Sequence, residues 1–527
     1  MATPVATDRV PDDDENDDAN DEDNVVDDNE IDANDTGDDG GGLHVLVSAT
    51  TPPVLFCKYP SYLALERTCP IGYEVRTLPR GTPMLYHGTR RYLYNAVKNV
   101  LHTNRAKKTT LSTWSLFWGR HLEPSAVGRL VPGQKMNHFP GSLELGRKDK
   151  LCANILRMQR KFGKFFHIIP ETHVTGSKDG RHFMQAYAAD PKAIWILKPP
   201  NQCCGRGIKL VSGSAKYEFE PDKRYVAQKY IAHPYLINGF KFDMRLYVLV
   251  TSYDPLRVYL FDNGLVRFCT QKYSMAAKDL KNRFGHLTNY SVNKKNEAFQ
   301  SNQGSNDGSG SKWSFQALLA HLRDEGHNCE KLHDDIAAVI VKTLLCVESA
   351  ILAQCSKSLK TAQNCFELYG FDILLDANLR PWLLEVNVFP SMSSSSPMDK
   401  RIKSILICDT FQLVGLPATD VAAAVEQAKK ERSTRRKSSI STKPEDDDAA
   451  WIQQLVDEEA RMGHFRRIFP TPATASFLDF FETKRASNAV LAEHVGLSKP
   501  TRPSVRKTGS FSNKLQHAKV LNAAYSS

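Results

Sequence analysis

Gly370-Phe-Asp-Ile-Leu-Leu-Asp-Ala-Asn-Leu-Arg-Pro-Trp-Leu-Leu-Glu-Val-Asn387 holds two short apolar runs on either side of a turn at Ala377–Arg380. The pattern predicts a β-hairpin. If Asp376 faces Pro381, antiparallel pairing sets Asp372 across from Glu385. Asn387, two residues on, then shares that face. Three oxygen ligands converge in an apolar hairpin, where two carboxylates cannot both stay ionised without a cation. Hard oxygen donors with room for phosphates suit Mg²⁺. A solvated hairpin face is the competing reading; the surrounding Ile, Leu and Trp side chains favour the metal.

Two stretches upstream could complete such a site. In Ala193-Ile-Trp-Ile-Leu-Lys-Pro-Pro-Asn-Gln-Cys-Cys-Gly-Arg-Gly-Ile208 a strand delivers Lys198 to its end, and a loop with Gly205, Arg206 and Gly207 follows. Glycines let backbone N–H groups approach phosphate, and Lys198 supplies a point charge. The GxxxxGK[ST] order of a P-loop is absent. In Gly239-Phe-Lys-Phe-Asp-Met-Arg245, alternation puts Lys241, Asp243 and Arg245 on one face, opposite Phe242, Met244 and Leu246. That face is either a solvent-facing strand surface or a cationic wall with one ribose-binding carboxylate. HExxH, GxSxG, Cys/His metal spacings and the kinase motif set are missing.

Further predicted strands are Ala193–Leu197, Tyr225–Tyr230, Lys241–Ser252, Arg257–Phe261, Phe371–Leu375 and Trp382–Val386. Apolar residues from Ile336 to Ile351 recur at helical spacing and predict one helix over Leu332–Cys355. The core is therefore a mixed α/β fold. The chain has 527 residues, 41% hydrophobic and 24% charged, enough for two to four structural units. Apolar runs fall far short of a membrane span, so no membrane partner is expected. Eleven cysteines without CxxC pairing read as reduced cytosolic thiols.

Residues 1–42 are acidic and are expected to be disordered alone. Residues 1–40 carry seventeen acids and one base, which leaves the rest with 68 bases and 42 acids, a net +26. Such a body seeks an acidic partner, either nucleic acid or a surface such as a microtubule with acidic tails. The basic stretches lack an aromatic RNA-binding signature, which argues against nucleic acid. Phe299–Ser311 reads as a mobile surface loop. Residues 416–527 read as helical segments on flexible, partly basic linkers, with Lys429–Lys437 the most basic run.

Ordered motifs across roughly residues 135–415 resemble the tubulin–tyrosine ligase-like family. They are Asn137-His-Phe-Pro-Gly141, Gly146-Arg-Lys-Asp149, Lys198-Pro, Gly205-Arg-Gly-Ile, Gln228-Lys-Tyr-Ile231, Lys241-Phe-Asp-Met-Arg245, His286-Leu-Thr-Asn-Tyr-Ser-Val-Asn293 and Glu385-Val-Asn-Val-Phe-Pro-Ser391. Ser252–Phe261 and Ser394–Asp399 look most like its type-four glutamylase subgroup.

The resemblance implies an α/β, ATP-grasp-like ligase core with an N-terminal subdomain (43–135), a central one (136–235) and a C-terminal one (236–415). It implies ATP held by Lys198, Arg206, Gly207, Gln228, Lys229, Tyr230, Ile231, Lys241, Phe242, Asp243, Thr288 and Asn289. It implies Mg²⁺ on Asp372, Glu385 and Asn387. Free L-glutamate would meet Arg267, Tyr290, Ser291, Lys312 and Lys403, and Arg245, with Lys198 and Glu385, would serve the chemistry. The implied activity is ATP-dependent glutamylation of tubulin tails through an acylphosphate, by a monomer in the cytoplasm and cytoskeleton, including cilium or basal body. A glycylase with the same core, or an inactive microtubule-binding protein, is the alternative. Phe389 stands where the family often has Ser. Val388, a small aliphatic after the metal-binding Asn387, favours starting branches over lengthening them.

Overall fold

A computed structural model describes residues 42–496, except 50, 80–83, 177–179, 201, 203–204, 214–223, 303–306, 361, 419–420 and 435–447. The acidic head, the Cys203–Cys204 pair, the end of the basic run at 435–437 and the tail beyond residue 496 lie outside the described residues. No single described helix is long and apolar enough to cross a membrane. The described cysteines are free, and all but Cys69 are buried.

An antiparallel sheet organises the molecule. Its strands run in the order Lys312–Ser314, Leu256–Phe268, Phe240–Tyr253, Glu367–Leu375 and Pro381–Asn387. Two further strands join it: Leu236–Ile237 on Phe240–Tyr253, and Phe465–Phe469 on Leu256–Phe268. Period-two alternation decides where its side chains go. Phe242, Met244, Leu246, Val248 and Val250 enter one core with helices Phe315–Asp324 and Cys329–Leu345. Tyr247 and Leu249 enter a second core with helix Pro397–Val414. The sheet is thus covered on both sides. Lys241 and Asp243 are buried, so their face is no solvent-facing strand surface.

A second antiparallel sheet runs in the order Lys209–Ser212, Ile194–Lys198, Val226–Lys229, Thr172–Val174, with helix Gly180–Ala189 in the same part of the chain. It carries a separate small core around Trp195 and Phe183. Toward the N-terminus lie a three-stranded sheet and a parallel four-stranded sheet that ends in Lys135–Met136.

Three expectations need correction. The single helix over Leu332–Cys355 is two, Cys329–Leu345 and Glu348–Ser358, bent by 48°. Arg157 Nη2 donates to the Cys346 carbonyl at 2.6 Å, so a distant guanidinium takes an acceptor that a continuing helix would use.

The hairpin register also differs at its turn. Leu375, not Asp376, pairs with Pro381, and Ile373 pairs with Leu383. One extra residue, Leu384, then makes a bulge, after which Asp372 does face Glu385 and Gly370 faces Asn387.

The third correction concerns residues 416–527, whose described part is not simply a tail. Leu55 N–H donates to the Leu416 carbonyl and Ala418 N–H to Pro53, strapping the chain to the N-terminal sheet. Helix Asp448–Ala460 and strand Phe465–Phe469 pack into the core. Glu458, buried, accepts from Thr251 Oγ1 (2.9 Å) and Tyr259 OH (2.7 Å) and pairs with Arg257 Nε (3.0 Å).

Candidate active site

Where the two antiparallel sheets face each other, a cleft holds about 770 Å³ of empty space. Its apolar walls are Ile196, Ile208, Leu374 and Leu384; its polar walls include Lys198, Gln228, Lys241, Asp243, Asp372 and Glu385. Strand ends explain the placement. Lys198 closes Ile194–Lys198, and its ammonium donates to Gln228 Oε1 (2.9 Å) on the neighbouring strand. Gln228 is itself oriented by donating to Thr172 Oγ1 (3.0 Å). Lys241 donates to Tyr230 OH (2.8 Å) and to the His286 carbonyl (2.9 Å). Burial lowers both lysine pKa values, Lys198 being partly restored by Glu385. Two buried ammonium groups, one from each sheet, line the cleft bonded to neutral oxygens, which suits them to an anion.

Beside Lys241 on the main sheet the charges are matched. Arg267 Nε and Nη2 fork onto Asp243 (2.8 and 2.6 Å), and Nη2 also reaches Asp372 Oδ2 at 2.8 Å. Arg245 forks onto the other side of Asp372 at 2.5 and 3.0 Å. Burial would raise the Asp372 carboxyl, but Arg245 and then Arg267 hold it well below the usual carboxylate range. Glu385 pairs with Lys148 Nζ at 3.1 Å, and that ammonium also donates to the Gln202 carbonyl in the glycine loop. Asn387 lies beside the Gly370 carbonyl (3.4 Å). Two cross-strand carboxylates and a nearby amide are a hard-oxygen donor set, and protein cations now sit against both acids. The set fits a hard divalent ion that would take the cations' place.

Beyond Arg267, its neighbour Lys312 donates to Asp399 Oδ2 (2.7 Å) and Ser395 Oγ (2.9 Å) and lies 4.3 Å from the Tyr290 ring centroid. Lys403, one turn past Asp399, donates to the Ser393 carbonyl. Burial brings Lys403 down to about 8, against the pull of Asp399. Asp399 is held at about 2: burial raises it, and Lys403 and Lys312 overcome that.

The structure gathers Lys198, Gln228, Lys229, Tyr230, Ile231, Lys241, Asp243, Thr288, Asn289, Asp372 and Glu385 around one cleft. Three positions sit differently. Phe242 faces the core, so only its backbone could serve a nucleotide. Arg206 and Gly207 are exposed, and the loop residues lining the cleft are Gln202, Gly205 and Ile208. Gly205, at φ +73°, lets Asn289 Oδ1 come within 2.8 Å of where a Cβ would stand. Lys229 directs its ammonium to Asp190 (3.2 Å). Ser291 is half-buried beside Tyr290. Val388 packs against Gly146, and Phe389 stacks on Tyr92 and packs against His138. Lys148 was given no role by sequence reasoning. It stands in Gly146-Arg-Lys-Asp149, the one signal that marked it.

The profile of the tubulin-tyrosine ligase family matches residues 129–423. Human tubulin monoglutamylase TTLL4 is 36% identical over 444 residues, covering 76% of this chain and 36% of that protein. Human tubulin polyglutamylase TTLL5 is 44% identical over 312 residues, covering 59% of this chain and 24% of its own length. Caenorhabditis elegans tubulin polyglutamylase ttll-4 is 35% identical over 402 residues, 72% of this chain and 66% of that protein. The chain thus spans about a third of the length of one human relative and a quarter of the other.

Proposed function

Because the chain belongs to the tubulin-tyrosine ligase family, we propose that it is an ATP-dependent ligase joining free L-glutamate to glutamate side chains of tubulin tails. The observation that carries the reading is the cleft itself. Buried Lys198 and Lys241 line it together with the Asp372–Glu385 acid pair, with Arg267, Lys312 and Lys403 on the adjoining strands and helix. Carboxylates are poor acyl donors, so the acceptor acid must first be phosphorylated. The γ-phosphoryl group passes from ATP to the acceptor carboxylate, forming an acylphosphate. The α-amine of glutamate then attacks its carbonyl carbon, and inorganic phosphate leaves.

Lys198 and Lys241 hold nucleotide phosphates; the apolar walls take the base. Mg²⁺, held by Asp372, Glu385 and Asn387, would neutralise phosphate charge. Arg245 lies beside the reacting acid, and Arg267, Lys312 and Lys403 take the amino acid's carboxylates. Branch initiation follows the type-four likeness rather than a contact, since Val388 is buried against Gly146 and does not line the cleft. The +26 body favours acidic tails and a cytoskeletal location.

The test is incubation of purified protein with ATP, Mg²⁺, microtubules and one amino acid at a time, followed by mass spectrometry of the tubulin tails. Glutamate additions are expected; glycine additions would overturn the amino-acid assignment, and no addition would overturn the ligase. Lys403 gives a second expectation. Its cation is present below about pH 8 and lost above it, so the KM for glutamate should rise as pH passes that value. Lys403→Arg should move the rise to higher pH; an unmoved profile would remove Lys403 from the amino-acid site.

A further inference from the structure

Tyr247 follows Arg245 by two residues on strand Phe240–Tyr253 and so faces the same side of the sheet. It is fully buried, and its ring packs in the core that also holds Met398, Ile402 and Leu265. Its hydroxyl has no hydrogen-bond partner. A buried, unpaired hydroxyl is costly relative to a paired one, and phenylalanine would fill the same core without that cost. The surroundings are charged: Arg245, Asp399, Arg267 and Asp372 all lie close enough to act on the hydroxyl.

Asp399, at the start of helix Pro397–Val414, shows the same sign. Oδ2 is crowded, accepting from Lys312 Nζ, Ser395 N and Ser395 Oγ. Oδ1 of the same buried carboxylate accepts from nothing. Two orphaned oxygens therefore stand beside the four cations Arg245, Arg267, Lys312 and Lys403. The cations can receive carboxylates, but none of them can receive an ammonium group. Asp399 Oδ1 can.

We propose that Tyr247 and Asp399 are substrate-contacting residues of the amino-acid site, in addition to the cationic residues already placed there. Asp399 Oδ1 accepts from the α-ammonium group of the incoming amino acid, and the Tyr247 hydroxyl donates to one of its carboxylates. This rests on the ligase reading above, and it deepens it: the site selects an α-amino acid, not merely a dicarboxylate. Asp399 stays an acceptor because Lys403 and Lys312 keep it ionised.

Tyr247→Phe is the decisive variant, since it removes one oxygen that no protein group uses. The KM for glutamate should rise about tenfold, as for loss of a hydrogen bond to a charged group. The KM for ATP should stay unchanged, and the melting temperature should hold or rise. An unchanged KM for glutamate, or equal rises for both substrates, would overturn the proposal. Asp399→Asn supplies an independent reading. Glutarate, which lacks the amine, should inhibit the wild-type enzyme far less strongly than a glutamate analogue that retains the amine but cannot form a product. The variant should lose most of that preference, and a preserved preference would overturn the role of Asp399. If the wild-type enzyme ligates a different amino acid, the glutamate assignment falls and both variants are read on that amino acid. If it ligates none, both the ligase reading and this proposal fall.

Discussion

Glu385→Gln should abolish ligation while leaving the fold standing. Glu385 is partly exposed, its side chain at 25%, and its ion-pair partner is Lys148. Such a pair is worth about 0–1 kcal/mol, so stability should hardly move. The charge matters more to the chemistry. A metal ion on a transferring phosphoryl group supplies several kcal/mol, so loss of one anionic ligand should lower turnover by about 10³-fold. Asp372→Asn should be as inactive but also less stable, because Arg245 and Arg267 would lose a buried counter-charge. Turnover, magnesium-dependent nucleotide binding and thermal unfolding, measured on both variants, check this. A Glu385→Gln enzyme within tenfold of wild type at the same magnesium concentration would remove the acid from the metal site.

The second large effect lies far from the cleft. Glu458→Ala should destabilise the protein by about 3–5 kcal/mol, the usual cost of stripping one partner from a buried ion pair. Arg257 would be left buried without its carboxylate, and Thr251 and Tyr259 would lose their acceptor. Exchanging Glu458 and Arg257 together for methionine should recover most of the loss, since apolar replacements of buried pairs are often neutral. Denaturant unfolding measures both. A loss below about 1 kcal/mol for Glu458→Ala would mean that residues 448–496 ride on the core without supporting it.

The sequence made the hairpin legible because apolar alternation and the turn residues agreed. It could not reveal the bulge, since nothing in Leu383-Leu-Glu-Val386 distinguishes an extra residue from a regular one. The face bearing Lys241, Asp243 and Arg245 was ambiguous for a related reason: charges alternate identically whether they meet water or each other. Only the partners Arg267 and Asp372, from other strands, decide it. The break after Leu345 was hidden because its cause, Arg157, lies 189 residues away. Strand Phe465–Phe469 was hidden by two adjacent arginines, Arg466 and Arg467, which pair with Asp334 and Glu459. Lys198 was marked by its place at a strand end before the glycine loop, whereas Gln228 and Thr288 came only through the family motifs, as their residue types alone fit many surfaces.

In a regular strand, consecutive residues part company, one to each side. Here Leu384 and Glu385 both border the cleft, while Leu383 and Val386 both belong to the oil behind it. An apolar wall and a charged donor are thereby supplied by successive codons. Inherited variation in this hairpin should keep an uneven beat, with tolerance tracking core volume at 383 and 386 and ligand chemistry at 384, 385 and 387. A flat strand has no means of setting that rhythm.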